Sequence, residues 1–310
     1  MHLAFSMKEL GDLSYFLGIS VQSHHNGFFL HQHKYASDLL LKAGMIGCKP
    51  CSTPVSSKPS FTASDSLPYP NPSLYRSIVG GLQYLTITRP ELSYAVNQAC
   101  QFMHSPTVGN FSAVKRIMRY IKGSLSHGLL FTPSSFQLHA YTDSNWAGDH
   151  IDRRSTSGYC IFLGDNLISW SSKKQPTVSR SSTEAEYRSL ANTTAELTWL
   201  QMLLQDFSVP QSSILVVWCD SQSALALAAN PVFHTRSKHI EVDCHFVRDK
   251  VQAHQLLLRH VPTASQLADI FTKPLSTSRF SFLTSKLRVA STPLSLRGPA
   301  KDISSASVDV

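Results

Sequence analysis

The stretch LHAYTDSNWAG, which runs from Leu138 to Gly148, decides the fold. Its first five residues read as a strand, and Asp143 follows them directly. A carboxylate at the end of a buried strand is costly to desolvate unless it is paired with a cation or bound to a metal ion. Taken alone, Asp143 can also be interpreted as a turn former or a helix cap, so its role depends on the residues that the fold brings near it.

The segments after Asp143 alternate in a recognisable order: strand, strand, strand, helix, strand, helices, strand, helix. Three successive strands followed by alternating helices and strands predict an α/β fold, a mixed five-stranded sheet covered by helices. We expect strands at Leu138–Asn145, Gly158–Leu163, Asn166–Ser172, Leu215–Asp220 and Leu256–Val261, and helices at Ser181–Phe207 and Ser265–Leu275.

Two more aspartates occupy similar positions. Asp220 ends the apolar run that begins at Leu215, where a turn or cap is again the simpler interpretation. Asp269 lies in the predicted helix after the last strand, where the helix dipole alone would favour it. The order of these acids along the chain therefore carries more information than any one of them.

Two glutamates begin the long predicted helix, and helix chemistry separates their roles. Ser181 and Glu184 have the spacing of a capping box, which gives Glu184 a structural role. Glu186 precedes Leu190 by one turn and lies on the apolar stripe that faces the sheet, so we expect Glu186 to be the functional acid. The stripe continues through Leu197, Leu200 and Leu204.

This order of acids, with an Asp on the first strand, a Glu on the first helix, an Asp ending the fourth strand and an Asp on the last helix, resembles the ribonuclease H family over residues 136–275. The resemblance implies a ribonuclease H-like sheet with flanking helices. It also implies that two Mg²⁺ or Mn²⁺ ions are bound by four catalytic acids, namely Asp143, Glu186, Asp220 and Asp269.

By the same resemblance, the expected reaction is endonucleolytic hydrolysis of the RNA strand of an RNA–DNA hybrid. Selectivity for RNA would rest on 2′-hydroxyl contacts and duplex shape. The candidate contacts adjacent to the catalytic acids are Ser144, Asn145, Ser221 and Gln222.

Several local motifs resemble copia-type retrotransposon Pol polyproteins, especially those of plants. In the second half these are Tyr141–Gly148, Arg153–Tyr159, Ser172–Gln175, Ser181–Tyr187 and Lys238–Glu241. In the first half, Met7–Gly11 with Tyr15–Ile19 and Thr86–Pro90 with Tyr94–Val96 resemble the palm end and the thumb or connection region of the same family's reverse transcriptase.

Two features depart from the family pattern. The polymerase site needs a Tyr-x-Asp-Asp turn, and no two aspartates are adjacent in this sequence, so we expect no polymerase activity from this chain alone. Many ribonucleases H carry a histidine in the loop before the last Asp, but residues 262–268 contain none. His260, at the preceding strand end, is a weak substitute and is better interpreted as structural.

The first half reads as a hairpin around Asn26 and Gly27, a helix at Lys34–Ala43, a Pro- and Ser-rich loop at Pro50–Ser73, and three helical segments. Residues 1–130 carry 11 Lys and Arg against 5 Asp and Glu, whereas residues 131–275 carry 12 against 13. The last helix is the basic one and is either a solvated face or a contact to a nucleic-acid backbone. Its cations are Lys115, Arg116, Arg119 and Lys122.

We therefore predict a reverse transcriptase remnant at residues 1–130, a ribonuclease H domain at 131–280 and a disordered Ser-rich tail at 281–310. The expected partners are an RNA–DNA hybrid and the remaining Pol segments. The alternative is a catalytically silent nucleic-acid-binding remnant of a decayed element.

The expected location is intracellular, in a cytoplasmic particle or the nucleus. The sequence has no apolar run of about 18 residues and no signal-peptide layout at Met1 to Gly11, so neither secretion nor a membrane partner is expected. The six scattered cysteines are typical of reduced thiols. Cys48 and Cys51 have metal-ligand spacing but lack a second pair.

Overall fold

Two five-stranded sheets organise the chain in the computed structural model, which describes residues 13–24, 26–57, 62–209, 213–229 and 241–292. The predicted motif at Met7–Gly11, residues 238–240 of the Lys238–Glu241 motif and residues 293–310 of the predicted tail lie outside these ranges.

The first sheet is antiparallel and is built mainly from the N-terminal half. The predicted hairpin is present as β2 (Ile19–His24) and β3 (Gly27–His31), with β1 (Tyr15–Phe16) on its outer side. Two strands that the sequence analysis missed complete the order β1-β2-β3-β4-β10, namely β4 (His127–Phe131) and β10 (Val289–Ser291).

Four helices of the first half pack on one another in a core that also contains Leu129 of β4: α1 (His33–Lys42), α2 (Pro72–Leu85), α3 (Ser93–Cys100) and α4 (Val108–Gly123). Local caps fix where the later helices start. The Asn71 side chain accepts from the Leu74 amide before α2, and Thr107 forms a reciprocal capping box with Asn110 before α4. In the described part of the predicted loop at Pro50–Ser73, a 3₁₀ turn spans Ala63–Ser66 and the last two residues begin α2, while the rest is irregular.

The second sheet confirms the predicted mixed arrangement. Its strands are β5 (Leu138–Asn145), β6 (Thr156–Leu163), β7 (Asn166–Lys174), β8 (Leu215–Cys219) and β9 (Leu256–His260), in the order β7-β6-β5-β8-β9. The first three strands are antiparallel neighbours, and β5, β8 and β9 run parallel.

Helices α5 (Ser182–Asp206), α6 (Gln222–Ala229) and α7 (Glu241–Gln252) cover one face of the second sheet. The predicted helix at Ser265–Leu275 is wrong in kind, because two 3₁₀ helices, Thr263–Ser265 and Leu267–Phe271, occupy most of that segment. Gln266 between them is extended, and its side chain accepts from the Ala268 amide and donates to the Thr142 carbonyl. These side-chain bonds replace a helical turn.

The two sheets share one hydrophobic core. Alternation along β6 sends Ile161 toward α5, while Cys160 and Phe162 pack into the core that also contains the apolar faces of α2, α3 and α4. The predicted boundary near residue 130 stays a prediction, but it falls at the end of β4, inside this shared packing.

Residues 281–292 correct the prediction that the tail is disordered from 281 onward. They contain the end of α8 (Thr277–Lys286) and β10, which pairs with β4. The physical reason is an apolar stripe at helical spacing, Phe280, Leu283 and Leu287, which is buried in the shared core.

We expect Phe280→Ala to lower the free energy of unfolding by about 3–5 kcal/mol, because truncating a buried aromatic leaves a cavity. Phe280 is 6% exposed and meets the Tyr120 ring at 5.4 Å between centroids. Urea unfolding of the full chain measures the loss. The matched control is Phe282→Ala on the same helix, 46% exposed, which should cost less than about 1 kcal/mol. Equal losses for the two variants would contradict the described packing of α8.

Candidate active site

Hydrogen bonds between α5 and β5 place Glu186 beside Asp143. Thr142 Oγ1 lies 2.9 Å from Ser189 Oγ, which in turn donates to the carbonyl oxygen of Asp143 at 2.9 Å. Because Glu186 precedes Ser189 by about one helical turn, its carboxylate reaches the end of β5. The Ser144 amide donates to Glu186 Oε1 at 3.2 Å and fixes its orientation.

Glu186 is buried with half of its carboxylate unsatisfied. Among the described residues, Glu186 Oε2 has no hydrogen-bond partner. Burial and the nearby charges of Asp143 and Asp220 raise the pKa of Glu186 to about 9. A buried carboxylate in this state is a poor structural element and a ready ligand for a cation.

Asp143 is also buried, and two neighbours on one segment contact its Oδ2 atom. The Thr272 hydroxyl donates to Asp143 Oδ2, and Lys273 Nζ lies 3.4 Å from the same atom. Burial raises the pKa of Asp143, and Lys273 and Thr272 partly oppose that rise. Asp269 and Asp220 add like charge that raises it further.

Asp220 reaches the site because β8 lies parallel to β5. Thr142 pairs with Cys219, so Asp220 follows at the same end of the sheet as Asp143. Thr263 Oγ1 donates to Asp220 Oδ2 at 3.2 Å. Ligand atoms of Glu186, Cys219 and Asp220 lie within 4.8 Å of one another, but burial raises the pKa of the Cys219 thiol, which leaves the two carboxylates as the ionic ligands.

Asp269 joins the site through cations. Its carboxylate lies 2.8 Å from Lys273 Nζ through Oδ1 and 3.3 Å from Arg279 Nη2 through Oδ2. The structure thus brings all four predicted acids to one end of the second sheet. Asp143, Glu186 and Asp220 interact with one another electrostatically, and Asp269 is linked to Asp143 through Lys273.

Gly158 allows the segment that carries Asp269 to approach Asp143. Gly158 is the β6 partner of Asp143. A Cβ atom at Gly158 would lie 2.7 Å from Phe271 Cβ and 2.7 Å from Thr272 Cγ2. The absence of a side chain there is what brings the Thr272 hydroxyl onto Asp143.

The predicted nucleic-acid contacts near the acids differ in exposure. Ser144 is buried, and its amide serves Glu186, so its side chain is a poor candidate for contact. Asn145 and Ser221 are half-buried, and Gln222 is exposed at the start of α6. His260 is exposed and pairs with Cys219.

Two of the four predicted cations on helix α4 have structural hydrogen bonds. Arg116 donates to Thr53 Oγ1 at 2.8 Å and Arg119 to the Lys49 carbonyl at 2.8 Å, so both hold the Pro-rich loop on α4. Lys115 is exposed and lies over the Phe111 ring, and Lys122 is half-buried in the last turn. These lysines remain the stronger predicted contacts to a nucleic-acid backbone.

Sequence reasoning missed Thr272 and Lys273. The available signal was position, because Lys273 follows Asp269 by four residues and salt-bridge spacing of this kind is visible in the sequence. The prediction of a regular helix hid it, since the contact to Asp143 depends on the 3₁₀ conformation and on Gly158.

Comparison with known proteins identifies the family. The Retrovirus-related Pol polyprotein from transposon RE2 of Arabidopsis thaliana is 48% identical over 295 residues, which are 95% of this chain and 20% of that protein. An uncharacterized mitochondrial protein of Arabidopsis thaliana is 57% identical over 196 residues, 63% of this chain and 81% of that protein. The chain belongs to the copia-type Pol polyproteins.

The Pol polyprotein from transposon TNT 1-94 of Nicotiana tabacum is 35% identical to this Pol chain over 286 residues, 89% of this chain and 22% of that protein. The chain thus spans about a fifth of the length of the transposon relatives. The reverse transcriptase (RNA-dependent DNA polymerase) family matches residues 1–57.

Among solved structures, LC11-RNase H1 in complex with RNA/DNA hybrid is 18% identical and covers 44% of this Pol chain and 94% of its own, with a TM-score of 0.33. The foamy viral protease-reverse transcriptase in complex with RNA/DNA hybrid covers 84% and 30%, with 13% identity and a TM-score of 0.45. The fold is given by the strand order β7-β6-β5-β8-β9 with its flanking helices, which is the predicted ribonuclease H-like arrangement.

We expect Gly158→Ala to destabilise this Pol chain by about 1–3 kcal/mol, because the new methyl group overlaps Phe271 and Thr272. Thermal unfolding measures the effect. The control is Gly80→Ala in α2, where a Cβ atom meets nothing within 4 Å. That helical substitution should stabilise by about 0.5–1 kcal/mol. If Gly158→Ala leaves the melting temperature unchanged, the close approach of Phe271 and Thr272 to Gly158 is contradicted.

Because the pKa of Glu186 is raised in the folded chain, we expect Glu186→Gln to increase the free energy of unfolding by an amount that depends on pH. Above the unfolded pKa the unfolded chain ionises this group more readily than the folded chain, so Glu186 costs stability increasingly as pH rises toward about 9. In EDTA, Glu186→Gln should raise stability by about 1–3 kcal/mol at pH 8 and by much less at pH 5. Denaturant unfolding at both values tests this. An equal gain in stability at pH 8 and at pH 5 would contradict the raised pKa of Glu186.

Proposed function

We propose that this chain cleaves the RNA strand of RNA–DNA hybrids endonucleolytically, in a reaction that depends on two Mg²⁺ or Mn²⁺ ions. The observation that carries the proposal is the convergence of Asp143, Glu186 and Asp220 at one sheet end, with Glu186 Oε2 buried and unsatisfied among the described residues. The relatives' Pol origin and the ribonuclease H-like strand order support the same reaction class.

The residues present fit divalent cations. Carboxylate oxygens are hard ligands that suit Mg²⁺ or Mn²⁺, and the protonated Cys219 thiol disfavours softer metals. Asp143, Glu186, Asp220 and Asp269 would hold the ions. When bound, such ions activate an attacking water and stabilise the leaving oxygen of a phosphodiester.

The chain's own residues prepare these ligands. The Ser144 amide holds Glu186 Oε1, and the Thr263 hydroxyl holds Asp220 Oδ2, so both carboxylates are oriented before any ion binds. The buried position of Asp143 and Glu186 excludes water and strengthens their attraction for a cation. The loop before Asp269, residues 262–268, contains no histidine, and the preceding histidine in the sequence is the exposed His260 at the end of β9.

The hybrid would be held by polar and basic groups around the sheet end. Asn145, Ser221 and Gln222 are neighbours of the acids in the sequence, and we propose Lys115 and Lys122 of α4 as contacts to the nucleic-acid backbone. Recognition would follow duplex shape and 2′-hydroxyl groups rather than base sequence. The remaining segments of a Pol polyprotein are proposed partners, in a cytoplasmic particle or the nucleus. No helix in the described part of the chain is long and apolar enough to cross a membrane.

The test is cleavage of a hybrid with a labelled RNA strand by the full chain, because the shared core argues against cutting it at residue 130. We expect internal RNA cuts with MgCl₂ and none with EDTA. Asp220→Asn should lower the rate about 100-fold or more, since it removes one electrostatic group from the reacting centre.

The matched control for this assay is Asp206→Asn, which changes an exposed aspartate at the end of α5 and should leave the rate unchanged. A folded chain that binds the hybrid but never cuts it would favour the silent remnant. Cleavage that Asp220→Asn leaves intact would assign the activity elsewhere.

A further inference from the structure

Lys273 lies between two of the four acids, Asp143 and Asp269. Its ammonium lies 2.8 Å from Asp269 Oδ1 and 3.4 Å from Asp143 Oδ2, so one cation bridges two carboxylates that come from different elements. Both carboxylates are buried. A point charge between two buried carboxylates does the electrostatic work of a bound cation.

Lys273 differs from Arg279, which also contacts Asp269. Arg279 donates to the carbonyl oxygens of Thr263, Ala264 and Gln266 as well as to Asp269, so its guanidinium anchors the loop. The described contacts of the Lys273 ammonium are the two carboxylates, and a third of its side chain is exposed. Lys273 can therefore leave the acids without dismantling the loop.

The backbone of Lys273 is held independently of its side chain. Its amide donates to the Asp269 carbonyl at 3.2 Å, while Thr272 keeps its hydrogen bond to Asp143 Oδ2. Four flexible methylene groups then let the ammonium swing toward solvent while both carboxylates stay in place.

We infer that Lys273 is a resident counter-ion that holds the site together without metal and leaves Asp143 and Asp269 when a divalent cation binds. This inference rests on the proposed function, because it assigns these two acids to metal binding. It makes Lys273 a positioning residue that opposes metal binding in exchange for a stable metal-free fold.

The experiment is Mn²⁺ titration of the full chain, with free Mn²⁺ followed by electron paramagnetic resonance and unfolding followed in EDTA. Lys273→Met removes the competing charge and should tighten Mn²⁺ binding about tenfold, while lowering the metal-free melting temperature. Lys273→Arg keeps the charge and should stay near wild type in affinity. The control is Lys34→Met, an exposed lysine in α1, which should change neither property.

A measurement on the wild-type chain covers the case in which Lys273→Met does not fold. Acetylation of Lys273 by an amine-reactive ester, read by mass spectrometry of its peptide, should speed up several-fold when Mn²⁺ is added. Lys34 should react at the same rate with and without Mn²⁺.

The outcomes separate this inference from the proposed function. Tenfold tighter Mn²⁺ binding by Lys273→Met with no hybrid cleavage by any variant would support the counter-ion and overturn the nuclease. Hybrid cleavage by wild type with unchanged Mn²⁺ affinity in Lys273→Met would overturn the counter-ion and leave the nuclease standing. An acetylation rate of Lys273 that is the same with and without Mn²⁺ would also overturn the counter-ion inference.

Discussion

Burial of the Asp143 and Glu186 carboxyl groups at the end of β5 is the constraint to which the surrounding structure responds. Burial and proximity each penalise ionisation of these acids. The Ser144 amide, the Thr272 hydroxyl and the Lys273 ammonium each offset part of that penalty from a different segment. The site is thus held by a few polar contacts in a place where a well-packed apolar core would be more stable.

The approach of the 3₁₀ segment to β6 makes this compensation possible. Without the bare backbone of Gly158, neither Thr272 nor Lys273 would reach Asp143. The shared core also holds the 3₁₀ segment against the second sheet, because Ile270 and Phe271 pack with residues of the first half. The electrostatics of the second sheet consequently depend on packing that the N-terminal helices provide.

Much of the second sheet follows from the sequence, because its strands have clear apolar runs and Leu138–Asn145 was predicted with the bounds that the structure has. The convergence of the acids was predicted from the resemblance of their order to the ribonuclease H family, and the parallel pairing of β5 with β8 accounts for Asp143 and Asp220. The short strands β4 and β10 of the first sheet were not predicted from the sequence. They carry little periodic signal, and their pairing is set by tertiary contact alone. The contact of Lys273 to Asp143 was hidden for a related reason, because the two residues are far apart in the sequence, whereas the spacing of Lys273 from Asp269 was visible.

The pairing of β4 with β10 bears on how the chain folds. Leu129 pairs with Val289, so β4 gains its partner strand β10 only after about 160 further residues have been synthesised. Contacts this distant in sequence carry a large loop-closure entropy and slow folding. During synthesis the free side of β4 is an open strand edge, the kind of surface on which nascent chains associate with one another. Folding of this Pol chain is therefore coupled to completion of its second half.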